Sequence, residues 1–193
     1  MSGAICGKAK TPDIAALIRA ALANSTGVLN VIDPENWLAN RALGYAQLNE
    51  RERAAIAHFS LLWGLFELQV MNARANAVGL VRKVEDWDST RGLQRDPFEG
   101  AFHYFRSRYF LNGTFGDLFE GLRFGRSDCR KLVEEALSQE QPTPKDMIAA
   151  LLLITYRLRN NLFHGEKWAY GIRDQRQNFE NANQVLMRAL ELS

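Results

Sequence analysis

The chain has 193 residues, 47% hydrophobic and 24% charged, with 24 lysines and arginines against 22 aspartates and glutamates. That balance fits one soluble globular domain with a real core and excludes a disordered or collagen-like chain. No apolar run reaches the roughly 18 residues of a membrane span, and MSGAICGKAKTPD lacks the apolar core of a secretory signal, so a cytoplasmic protein with no membrane partner is expected.

In chain order, the first signals are helix starts built on proline. Thr11-Pro12 and Asp33-Pro34 each pair a capping side chain with a proline at the first helical position, where the missing N–H costs nothing. They place extra helices in residues 1–47, an N-terminal extension expected to pack on a main domain at 48–193. Asn49, with Glu52 three residues on, marks the next start. From it Ile56, Phe59, Trp63, Phe66, Val70, Ala73 and Ala77 recur at steps of three and four, one apolar stripe over about six turns that predicts a long central helix. Leu62 and Leu65 widen that stripe.

Asp96-Pro97-Phe98-Glu99 opens a further helix. There Phe102, Phe105, Tyr109 and Phe110 form the expected buried side, while Arg106 and Arg108 face water. Aromatics interleaved with arginine can also stack on nucleic acid, but packing is the preferred reading of this segment. Thr143-Pro144-Lys145-Asp146 starts a helix striped by Ile148, Leu151, Thr155, Leu158 and Leu162. Phe179, Ala182, Leu186 and Ala189 mark the last one. No alternating strand stands out, since VLNVI is short and flanked by turn residues. The class is all-α, an up-and-down helical bundle.

The polar residues narrow the chemistry. Cys6, Cys129, His58, His103 and His164 are scattered, and no pair has metal-ligand spacing, so neither a metal site nor a cofactor is expected. A Cys6–Cys129 disulfide is disfavoured in a reducing compartment. The net charge of +2 is unevenly spread: residues 91–131 hold eight basic and five acidic groups, and residues 157–176 five and two. Both regions are mildly basic, and in most proteins that means only a solvated face.

The stretch RNNLFHGEKW, residues 159–168, stands apart. Five helical steps turn a side chain through about 140°, so Arg159 and His164 would point apart on a continuing helix. Gly165 readily forms a left-handed cap, and a chain leaving the helix near Leu162 or Phe163 swings His164 back toward Arg159. Asn160 and Asn161 tolerate such an end. Arg53 and His58 repeat the spacing inside the long helix, where no terminator follows and a structural role is expected. Glu67 lies beside the apolar stripe; it either reaches solvent at the stripe's edge or orients Arg159 or His164. Lys167 and Arg173 are candidate phosphate contacts, opposed by Glu166. The plainest alternative is that Arg159 and His164 merely cap carbonyls at a helix C-terminus, where cations are favoured.

LRNNLFHGEK resembles the C-terminal motif of the HEPN superfamily (higher eukaryotes and prokaryotes nucleotide-binding). That motif is an arginine, commonly followed by a polar residue, with a histidine four to six positions after the arginine. Arg159, Asn160 and His164 carry the likeness, with Phe163 and Gly165, and it extends over residues 50–193. The resemblance implies a bundle of four or five helices, homodimeric, with the two motifs meeting across the interface. It implies metal-independent endoribonuclease activity in toxin–antitoxin, phage-defence or RNA-processing systems, with RNA as substrate and an antitoxin or defence-system protein as partner. On that reading His164 is the acid/base, Arg159 stabilises phosphate charge, and Asn160 positions the phosphate or His164. Glu67 and Lys167 support them. One departure matters: members controlled by a minimal nucleotidyltransferase carry a tyrosine two positions after the histidine, where this chain has Glu166. The nearest tyrosine is Tyr170, so such control is not expected. The competing expectation is a non-catalytic helical dimer that binds RNA or a partner protein.

Overall fold

Asp33 opens α1 (Pro34–Arg41), its carboxylate accepting the N–H groups of Glu35 and Asn36 at 3.1 and 3.3 Å. The computed structural model describes residues 32–164 and 175–193. Thr11-Pro12, most of the expected 1–47 extension, and Gly165, Glu166, Lys167, Tyr170 and Arg173 lie outside the described residues. The unit that carries the motif runs from Leu38 to Ser193.

After a 3-10 turn at Tyr45–Gln47, α2 (Glu50–Gln69) begins on a reciprocal capping box. The Asn49 side chain accepts the Glu52 N–H at 3.0 Å, and the Glu52 carboxylate accepts the Asn49 N–H at 2.9 Å. The helix stops at Gln69, short of the last members of the expected stripe. Asn72 and Ala73 take left-handed φ values of 50° and 59°, and Asn76 starts α3 (Ala77–Arg91) by accepting the Gly79 N–H at 2.9 Å. Asparagine enters that region more easily than most residues, and Ala73 is held there by its N–H on the Glu67 carbonyl at 2.8 Å. The stripe's last two members thus belong to a turn and to a second helix.

Asp96-Pro97 starts a 3-10 turn (Asp96–Phe98) with no side-chain cap, and α4 (Glu99–Tyr109) follows it. Phe102, Phe105 and Tyr109 are buried on one side of α4, as expected of a packing face. The expectation of no strand is corrected by a two-residue hairpin, β1 (Phe110–Leu111) against β2 (Thr114–Phe115). Its turn is Asn112-Gly113, with φ of 51° and 80°, the pairing that a tight hairpin of this hand requires. Then come α5 (Asp117–Glu120), α6 (Arg130–Ser138), α7 (Pro144–Phe163) and α8 (Arg176–Glu191). Apart from the hairpin, the regular structure of the described residues is helical, and no helix among them is long and apolar enough to cross a membrane.

The central helix is α7, not α2. Every residue from Met147 to Thr155 is buried, because α3, α4, α6 and α8 all pack around it. A helix apolar all round must be surrounded. By contrast α2 packs chiefly on α8 through Phe59, whose ring lies 5.1 Å from that of Phe179, and it leaves its outer side open. Thr143 caps α7, accepting the Asp146 N–H at 3.1 Å and donating its hydroxyl to the Asp146 carboxylate at 2.6 Å. Thr143→Ala is expected to cost about 1 kcal/mol of stability, read as a lower urea midpoint with an unchanged slope.

Around the hairpin the rings of Phe110, Phe115, Phe119 and Phe124 form a chain with centroid separations from 4.5 to 5.4 Å. Burial pushes the Tyr109 phenol well above its usual range. Hydrogen bonds from Arg130 hold the exposed Glu120 carboxyl below its ordinary value.

Candidate functional site

The last two turns of α7 are fixed on opposite sides. Arg157 reaches the loop that joins α5 to α6. It donates from Nε to the Leu122 carbonyl at 3.0 Å, from Nη1 to Asp128 Oδ2 at 2.6 Å, and from Nη2 to the Arg123 carbonyl. Asp128 Oδ2 also accepts the Gly125 N–H at 2.7 Å. One helical turn on, Asn161 Nδ2 donates to the Gly121 and Leu122 carbonyls at 3.0 and 3.3 Å. Residues four apart share a helix face, so this pair closes one loop. Asn161, read from the sequence only as a tolerant helix end, is a buried structural group.

The other side carries Arg159 and Phe163. The Arg159 guanidinium lies between two rings, 5.7 Å from the Trp63 centroid and 5.4 Å from that of Phe163. Glu67, on α2 one turn after Trp63, has an oxygen 3.8 Å from Arg159 Nη2. Both Glu67 oxygens are already engaged: Oε2 accepts the Trp63 indole N–H at 3.0 Å and Oε1 the Ala75 N–H at 3.3 Å. Glu67 therefore does not simply reach into solvent; it ties α2 to the turn before α3 and places a negative charge beside Arg159. Of the guanidinium's donors, Nη1 gives to Asn160 Oδ1 at 3.1 Å, while the buried Nε has no partner among the described residues. The Arg159 side chain is 28% exposed.

His164 is the C-cap of α7, at φ −89° and ψ 12°, and is exposed. Its N–H still closes a helical bond to the Asn160 carbonyl at 2.9 Å. The helix thus ends at Phe163, within the range expected, but His164 keeps its helical position and sits about 140° around the axis from Arg159. Among the described residues, the partners of Arg159 are Glu67, Asn160, Trp63 and Phe163, and His164 is not among them. Asn160 joins the two: its amide oxygen takes Arg159 and its carbonyl takes His164. Lys167 falls outside the described residues.

Arg53 lies over the Tyr45 ring at 5.1 Å, and His58 is exposed at a groove between α2 and α8. Among the described residues no group of three or more His, Cys, Asp or Glu is placed to hold a metal ion. Sequence reasoning missed Trp63 and Phe163 as the rings that hold Arg159. The signals were the spacing of Trp63 four before Glu67 and of Arg159 four before Phe163, each a same-face pair. Compared with protein-family models, curated proteins and solved structures, the chain finds no match.

Proposed function

We propose that this chain is a metal-independent endoribonuclease of the HEPN type, acting in a toxin, defence or RNA-processing role, with a site completed across a homodimer. What carries the reading is the state of Arg159. It is a cation held in place by two rings and an amide, and the Glu67 carboxylate 3.8 Å from it already accepts two other N–H groups, so donor capacity remains for an anion. A guanidinium with free donors suits a phosphate oxygen and the charge that grows there in a pentacoordinate transition state. His164, exposed at the same helix end, supplies an imidazole that can take the proton of an RNA 2′-OH. As the 2′-oxygen bonds to phosphorus, the bond to the 5′-oxygen breaks and that oxygen takes a proton. Because the two groups sit on different sides of one helix, the arginine and histidine of one reaction would come from different copies.

The purified chain is expected to cut RNA in excess EDTA, leaving 2′,3′-cyclic phosphate and 5′-hydroxyl ends and sparing DNA, which has no 2′-OH. Gel analysis of end-labelled RNA reads this, and loss of cutting in EDTA would sink the metal-independent mechanism. The second reading, a non-catalytic helical protein that binds RNA or a partner protein, has its own support. The Trp63–Arg159–Phe163 stack is also a good clamp between α2 and α7, and a half-buried arginine near a helix end needs no catalytic purpose.

A further inference from the structure

We infer that the ring of Phe163 is a stacking platform for one unpaired RNA base, which makes single-stranded RNA the substrate class of the Arg159 site. The inference rests on the proposed function only in taking RNA as the ligand of Arg159. Of the eleven phenylalanines in the chain, Phe163 alone is exposed, at 53%; the others are buried or half-buried in the packing. A single exposed apolar residue is ordinary. This one is set apart by what it stands on.

The side chains of Trp63, Arg159 and Phe163 make a stack that runs from the core outward. Trp63 is buried, Arg159 half-buried and Phe163 exposed. The guanidinium lies over both rings, so the inner face of Phe163 is occupied and its outer face is the open end of the stack. Phe163 is also the last residue of α7, one turn after Arg159 on the same side, which ties platform and cation to one rigid element. A ring already held in place loses little freedom when a ligand stacks on it.

Together the two side chains match one nucleotide. Arg159, with donors to spare, takes a phosphate oxygen. A single ribose spans the way from that phosphate to its base, and the Phe163 ring lies 5.4 Å from the guanidinium, where the base arrives. Glu67, whose charge opposes a phosphate, is bonded to Trp63 at the buried end of the stack. In a duplex both faces of a base are covered by its neighbours, whereas an unpaired base can be splayed out onto an aromatic side chain. Every base has such a face, so the platform selects single strands without choosing a sequence.

Binding by the full chain is measured in EDTA on a short 2′-O-methyl oligouridylate carrying one 2-aminopurine. This probe is not cleaved, because its attacking hydroxyl is blocked, and stacking quenches the 2-aminopurine. Quenching is expected at one position along the strand. Phe163→Ala should abolish it and weaken binding roughly tenfold, while Phe163→Trp keeps both. Circular dichroism of both variants should match the parent, since the ring faces solvent. An abasic ribose at the quenched position tests for direct contact: combined with Phe163→Ala it should cost no more than either change alone. Losses that add would mean that the ring only steadies Arg159, and would overturn the inference. So would binding without quenching, a complementary duplex bound as tightly as the single strand, or no RNA binding at all, the result expected if a protein covers the ring. The proposed function fails separately: quenching at Phe163 without cleavage of unmodified RNA keeps the platform and sinks the nuclease.

Discussion

Replacing His164 with alanine is expected to slow RNA cleavage by about 10²- to 10⁴-fold, the usual range for loss of a positioned acid or base. His164 is exposed and its backbone N–H, not its ring, completes the helix, so the melting temperature should hardly move. Arg159→Ala should cost about 10²- to 10³-fold if the guanidinium stabilises transition-state charge. It should also lower stability slightly, because the stack between Trp63 and Phe163 is lost. Arg159→Lys separates the two contributions: it keeps the charge but lacks the planar fork, and should recover little activity. Single-turnover assays on one labelled RNA read all three. Cleavage that survives both alanine variants would move the site elsewhere, and a clear fall in melting temperature for His164→Ala would favour the non-catalytic reading.

The largest structural effect is expected at Arg157. Its side chain and that of Asp128 are 12% and 11% exposed, and the two are joined at 2.6 Å. A buried pair adds little over a well-packed apolar substitute, but removing one partner strands the other charge and costs about 3–5 kcal/mol. Arg157→Ala also removes donors from the Leu122 and Arg123 carbonyls, so it belongs at the upper end of that range. Asp128→Ala should cost less, because Arg157 keeps its two carbonyls. Urea unfolding of the two single variants and the double variant measures the coupling, and strict additivity would show that the pair is energetically idle.

Local chemistry made much of the fold legible. Asn49 with Glu52, Asp33-Pro34 and Thr143-Pro144 name helix starts because a cap is decided by neighbouring atoms. Periodicity was less sure. The stripe through Val70, Ala73 and Ala77 runs on in the sequence although the helix does not: Val70 is buried at the helix end and Ala77 by the next helix, while Ala73 is exposed in the turn between them. The hairpin was hidden because two-residue strands are too short to alternate, and only Asn112-Gly113 announced it. Which helix sits at the centre was also hidden: α2 and α7 are both apolar, and the choice depends on neighbours far away in the chain.

At the candidate site, Arg159, Asn160 and His164 were legible as a group because they are adjacent. Glu67 was placed beside the stripe, but its ties to Trp63 and Ala75 depend on the turn at Asn72 and Ala73, which no spacing rule supplies. The role of Asn161 was misjudged for the same reason, as its partners lie 40 and 39 positions away.

The two-sided fixing of the end of α7 has a consequence for recognition. Helix termini ordinarily fray, and groups mounted on them surrender rotational freedom when a ligand arrives. Here Arg157 and Asn161 fasten one flank while Arg159 and Phe163 fasten the other. An incoming anion would thus meet donors already aimed, and most of the ordering that binding normally demands has been completed during folding.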